Sequence, residues 1–227
     1  MKKALFLLLV FTAFCMRGQD TVPEQKSVIT ISLLSPAFSY APRYTLGYMH
    51  KIAPRWWTGI EVGHGNYGSA IGIAAENDSE YIDKDYKLFE IRPEIYFDLR
   101  PSAKLKHLVS AEFFYINHKD HFTTDRYYGK DGFTEYKYDE ADYKRIKKGI
   151  NLNYSLVFYF TSRFGLFWKT GFGIAGRNVK YANVVNKTQL PYKDNDENWF
   201  GVDDYLEKSG VYTKFNFNQD LKLFYKF

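Results

Sequence analysis

The sequence predicts an all-β fold, an eight-stranded antiparallel up-and-down transmembrane β-barrel, on three observations. The final stretch, Val211 to Phe227, runs for seventeen residues without a break in alternation. Val211, Thr213, Phe215, Phe217, Gln219, Leu221, Leu223, Tyr225 and Phe227 share one face, while Tyr212, Lys214, Asn216, Asn218, Asp220, Lys222, Phe224 and Lys226 share the other, as the period of two requires. Its length is the second observation. Soluble strands average about five or six residues, whereas a tilted strand crossing a bilayer needs about nine to eleven. The third is composition: 19% aromatic residues accompany a negative mean hydropathy of −0.41, a pairing expected where only every second residue meets lipid and aromatic rings gather at the interfaces.

Reading for the same period gives eight stretches in order. Ser27 to Ser35 comes first, followed by a short connection, Pro36 to Arg43, that contains two prolines. Tyr44 to Ile52 and Trp56 to Asn66 flank the tight turn Ala53-Pro54-Arg55, and Trp56 and Trp57 suit an interfacial girdle. The polar segment Tyr67 to Asp85 leads to Tyr86 to Leu99, where Pro93 predicts a bulge or a local loss of pairing because it cannot donate to a ladder. Arg100 to Leu105 is a short turn before Lys106 to His118, and Lys119 to Asp142 is a long polar loop before Tyr143 to Phe160. Thr161-Ser162-Arg163 is the third short turn, leading to Phe164 to Val179, with Phe164 again at an interface. A last long loop, Lys180 to Ser209, precedes Gly210 to Phe227. An even number of strands with short turns at one end and long loops at the other is the pattern of bacterial outer-membrane barrels.

The chain begins with what reads as an export signal, residues 1–18. Lys2 and Lys3 supply the positive start, Ala4 to Phe14 the apolar core, and Gln19 and Asp20 a polar beginning for the barrel domain, 19–227. Cleavage after Gly18 is favoured over cleavage after Cys15; acylation of Cys15 is disfavoured by the bulky Phe14 before it. Loss of Lys2, Lys3 and Arg17 lowers the formal charge from +5 to +2 and removes the single cysteine. So small an excess does not point to nucleic acid, which needs a concentrated basic face.

Alternation also selects the interior. Glu61, Glu90, Arg92, Glu94, Glu112, Lys169 and Arg177 fall on the polar faces, in the mixture of signs expected of a self-neutralising plug. Eight strands leave room only for side chains, so such a barrel is not expected to conduct freely. Gly47, Gly59, Gly63, Gly171 and Gly173 are placed to make space for the longer ones.

Chemistry is sparse. His118-Lys119-Asp120-His121 is the best metal-like cluster, but a zinc site takes three or four ligands in fixed geometry, and no metal or cofactor is expected. A triad at the outer rim from His64, Ser69 and Asp120 or Asp142 has no support from spacing, and no phosphate cradle or nucleophile elbow is present. The loops carry both signs, acidic from Asp78 to Asp85 and basic from Tyr143 to Lys148. Such residues suit divalent ions or the phosphates of lipopolysaccharide.

With its leader, eight strands and terminal run Leu221, Leu223, Tyr225 and Phe227, the chain resembles the small eight-stranded outer-membrane β-barrel proteins of Gram-negative bacteria. The resemblance implies location in the outer membrane among its lipids and lipopolysaccharide. It also implies that those four residues are read by the barrel-assembly machinery during insertion. Function is not implied so narrowly, since this fold serves structure, adhesion, lipid enzymes and accessory subunits alike. A non-enzymatic barrel that supports the envelope, or presents its long loops to an extracellular or envelope protein partner, is the expectation. The alternatives are a lipid-modifying barrel enzyme and a secreted, soluble, lipocalin-like ligand-binding barrel with its apolar faces turned inward.

Overall fold

The computed structural model describes residues 25–71, 82–100, 105–132, 134–191 and 208–227; the export segment lies outside them. The strands are β1 (Ser27–Ser32), β2 (Tyr44–Ala53), β3 (Trp56–Asn66), β4 (Lys87–Asp98), β5 (Lys106–Tyr128), β6 (Glu135–Tyr159), β7 (Phe164–Val185), β8 (Thr188–Gln189) and β9 (Gly210–Lys226). A short helix, α1 (Leu34–Phe38), and a single 3-10 turn at Tyr67–Ser69 complete the described elements.

Each principal strand pairs antiparallel with the next, and β1 pairs with β9, so eight strands close into a ring. Closure is sealed at the chain ends, where the Ser27 and Phe227 backbones exchange hydrogen bonds of 3.1 and 2.9 Å. The ninth strand, β8, lies outside the ring and pairs with Tyr136 and Lys137 of β6 beyond the end of β7.

Burial settles which face is which. Leu152 is 73% exposed, Phe215 71% and Ile150 62%, whereas Glu90 is 0%, Lys169 1% and Glu112 2% exposed. The aliphatic faces point out and the charged faces point in. A soluble ligand-carrying barrel would have the opposite arrangement, because the hydrophobic effect drives apolar side chains away from water.

Several sequence expectations change. The first strand ends at Ser32 rather than Ser35, because the chain turns into α1, where Pro36 is buried and has no N–H to offer a ladder. The expected loop Lys119 to Asp142 is mostly strand: β5 runs on to Tyr128 and β6 begins at Glu135. In the same way β7 continues to Val185. Trp57 does not join a girdle; parity turns it inward at 6% exposure, while Trp56 stays outside at 43%. At Pro93 the β4–β5 pairing lapses between Ile91 and Glu94 and resumes in the same register, so pairing is lost without a bulge.

The interior is layered. Nearest the short turns, Val28, Met49, Trp57, Tyr96, Leu108, Val157, Phe167 and Phe224 form an apolar floor. Charged residues fill the middle, and a second apolar group including Tyr86, Leu88, Phe114 and Ile116 lies beyond them. The protruding ends of β5, β6 and β7 form a paddle packed around Phe122, Tyr127, Tyr138, Ala141, Tyr143 and Val179.

Candidate functional site

The middle layer is built by residues that alternation sends inward from six strands. Lys169 of β7 reaches across to Glu94 of β4 at 3.0 Å and Glu112 of β5 at 2.5 Å. Arg92 joins Glu112 at 2.9 Å and also contacts Glu90, which in turn holds Arg43. Lys222 of β9 pairs with Glu61 of β3 and lies 3.4 Å from Asp220. The same carboxylates accept further hydrogen bonds from neutral donors: Asn151 to Glu112 at 2.8 Å, Asn153 to Glu94 at 3.0 Å, and the Tyr96 hydroxyl to Glu94 at 2.6 Å. Buried ion pairs are tolerated only when their remaining hydrogen-bonding capacity is used in this way. Gly171 and Gly173 keep the space beside Asn153 and Asn151, since a Cβ at either would collide with the asparagine side chain.

Of the seven interior residues selected from sequence, six belong to this network. Arg177 is buried as well, its guanidinium 5.8 Å from the centre of the Tyr212 ring. Sequence reasoning missed Arg43, because it sits in a connection rather than a strand, and passed over Lys222 and Asp220 although their parity on the last strand pointed inward. The network runs between the apolar floor and a cavity of about 770 Å³.

That cavity lies between the inner wall and the α1 segment. Its cationic lining comprises Arg43, Arg92, Arg145, Lys147, Arg177 and Lys214, and among the described residues no Asp or Glu lines it. The basic run Tyr143 to Lys148, expected on a loop, is therefore split by strand alternation, with Arg145 and Lys147 facing in and Lys144 and Lys148 exposed.

Alternation also divides the His118 to His121 cluster. His118 is fully buried between the rings of Tyr86 and Tyr143, and its Nε2 lies 3.7 Å from Asp120. His121 is on the opposite face, bonded to Asp142 at 2.9 Å. The two imidazoles do not converge. In the paddle, the hydrogen bond from His121 lowers the Asp142 carboxyl, and the same bond raises the imidazole. Burial pushes the Asp120 carboxyl up to about 7, against hydrogen bonds from the Asp83 and His121 backbones. Nor does the triad weighed from sequence assemble: His64 is on the outer face, and the Ser69 hydroxyl is bonded to Asn66 at 3.1 Å.

No known family matches the sequence, and no curated protein is similar to it. Among solved structures, the chain is similar to a major outer membrane protein from Thermus thermophilus, at 12% identity and a TM-score of 0.45, over 89% of this chain and 99% of that one.

Proposed function

We propose that this chain is an integral outer-membrane barrel, closed inside by its ion-pair network, whose work is done at the outer rim and by the paddle. The observation that carries this reading is the reversal of burial, with Glu90 and Lys169 sealed inside while Leu152 and Phe215 stand on the outer surface. An exposed apolar belt of this extent needs lipid around it. The paddle, braced by stacked tyrosines such as Tyr127 and Tyr181 at 4.3 Å, would present its edge and tip to an envelope or extracellular protein. The reading is non-enzymatic, as the separate placements of His64 and Ser69 favour; an unchanged membrane-lipid profile in a His64→Ala strain is expected.

Membrane fractionation followed by gels of boiled and unboiled samples tests the proposal. Recovery with the outer membrane and a heat-dependent mobility shift are expected; recovery as a soluble protein without the shift overturns it. Insertion is proposed to use Leu221, Leu223, Tyr225 and Phe227, all on the outward parity of β9. Removal of Phe227, which also takes away its backbone bonds to Ser27, is expected to lower the assembled fraction sharply. Undiminished assembly would refute the insertion role.

A further inference from the structure

We infer that a row of lysines on the outer surface of β4 to β7 is a docking surface for phosphate-bearing lipid of the outer leaflet, so that anionic lipid collects on one half of the barrel. The inference rests on the outer-membrane reading above and adds to it a partner and a side.

Register makes the row. Lys87 stands opposite Lys119 in the β4–β5 ladder, Lys119 opposite Lys144 in β5–β6, and Lys144 opposite Lys180 in β6–β7. All four are exposed and lie on the outward parity. Like charges thus follow one another across strands about 4.8 Å apart, an arrangement that is destabilising when they stand directly opposite. No carboxylate shares the row or the two outward rows below it on these strands. The first of those rows holds Phe89, Asn117, Ile146 and Asn178, and the second Ile91, Tyr115, Lys148 and Gly176. Above the row, Asp142 is engaged by His121 at 2.9 Å and by Asn183 at 2.6 Å. Anions from outside the chain would offset the repulsion, and lysine ammonium groups suit phosphate oxygens through charge-assisted hydrogen bonds.

Depth agrees with charge. Phe158, Leu156, Tyr154, Leu152 and Ile150 line the outward face of β6 before Lys148 is reached. A strand tilted by about 45° climbs about 2.4 Å per residue, so Phe158 to Lys148 spans about 24 Å, close to the apolar band of about 25 Å in outer-membrane barrels. Lys148 therefore marks the edge of the hydrocarbon on β6. Lys144 stands about 10 Å further out by the same geometry, and its long side chain can reach back to the headgroups. Ladder rows run perpendicular to tilted strands, so the row climbs around the wall. The apolar face accordingly extends to Phe89, next to Lys87, on β4 but stops at Ile150, before Lys148, on β6. Lys87, Lys119 and Lys148 occupy the lower level, and Lys144 and Lys180 the upper. An acidic protein would have to displace headgroups to reach Lys148, whereas lipid phosphate is already at that level.

The other half of the wall does not repeat the pattern. Its outward positions near the same rim are Tyr44 of β2, His64 and Asn66 of β3, and Val211 and Thr213 of β9, none of them a lysine, arginine or carboxylate. The lysine-bearing half is also the half from which the paddle rises.

The full chain reconstituted in dimyristoyl phosphatidylcholine bilayers, with trace spin-labelled phosphatidic acid or phosphatidylcholine, tests the inference through the fraction of label immobilised at the protein surface. Phosphatidic acid should associate about threefold more strongly than phosphatidylcholine, the mean of about fivefold on the lysine half and no preference on the other. A Lys87→Gln/Lys119→Gln/Lys144→Gln/Lys180→Gln variant should lose most of that preference, and a Lys130→Gln/Lys137→Gln variant, altered higher on the paddle, should keep it. Wild type in about 1 M sodium chloride should lose it too, because the screening length falls to about 3 Å; this readout needs no variant to fold. No preference in wild type, a preference untouched by salt or by the quadruple substitution, or equal loss in both variants overturns the inference. So does abolition by inorganic phosphate at constant ionic strength, which would mark a free-anion site. The heat-dependent mobility shift is read on the same preparations. Wild type without the shift overturns both readings, whereas a shifted barrel with no preference for phosphatidic acid overturns this one alone.

Discussion

Within the apolar belt, β5 and β6 turn Phe113, Ile150 and Leu152 outward and Glu112 and Asn151 inward; above it the same two strands turn Lys119, Lys144 and Lys148 outward and bury Phe122, Ala141 and Tyr143. One continuous hairpin thus reverses its polarity along its length. The alternation is the same in both regions, and the surroundings decide which side takes the apolar residues. On the membrane reading proposed above, the costly groups in lipid are charges, so they are gathered inside and paired; in water the costly groups are apolar, so they pack against β7 through Tyr181 and Val184. The ring should therefore fail through its charges and the paddle through its rings.

Lys169→Met should have the largest effect. Glu94 and Glu112 lose a shared cation, and breaking a buried pair costs about 3–5 kcal/mol. The folded band of unboiled samples should vanish at a much lower temperature than in wild type. A ring that keeps its wild-type melting point would show that water, not Lys169, balances those carboxylates. Tyr138→Ala removes a fully buried paddle side chain, at about 1.5–3 kcal/mol. Its effect should appear as faster proteolysis between β5 and β6 with the heat-shifted band intact; loss of that band would erase the distinction between the regions. Gly171→Ala places a methyl against Asn153, with an expected loss of about 1–2 kcal/mol confined to ring melting.

The last effect is that of pH on the paddle. Asp120 has a folded-state pKa raised to about 7, so between its ordinary value and 7 the unfolded paddle binds fewer protons, and stability falls as pH rises across that interval. His121, raised by Asp142, contributes fully below its ordinary value of about 6.5 and loses that contribution as pH rises through the folded value. Asp142, lowered by the same bond, contributes above about 3.9 and loses its share as pH falls through the folded value. Amide exchange in β5 and β6, corrected for intrinsic rates, should thus quicken as pH rises from about 4 to about 7 and level off above that, as the coupling of proton binding to unfolding requires. Asp120→Asn should remove most of that rise; an unchanged profile would place the titration elsewhere.

Much of the ring was legible because its pattern is local. Parity alone placed Glu61, Glu90, Arg92, Glu94, Glu112 and Lys169 inside, and the short turns marked the strand ends. What escaped depended on three-dimensional surroundings. Strands β5 and β6 looked finished at His118 and Tyr143 because the outward residues became charged, although a strand leaving lipid for water changes its side chains and not its backbone. The pairing of Lys222 with Glu61, 161 residues apart in sequence, follows from closure of the ring and has no local signature. The cationic cavity stayed hidden because Arg145, Lys147, Arg177 and Lys214 come from three strands, and their convergence is fixed by register. Trp57 shows the reverse error: proximity to a turn suggested an interface, and one step of parity sent it into the floor.

The short first strand has a mechanical meaning. Ser27 and Phe227 meet at the same end of antiparallel partners, so a load applied between the two chain ends pulls β1 away from β9 one bond at a time rather than shearing the ladder all at once. Force would open the cylinder along this line first, long before β5 and β6, joined over almost their full length, began to separate.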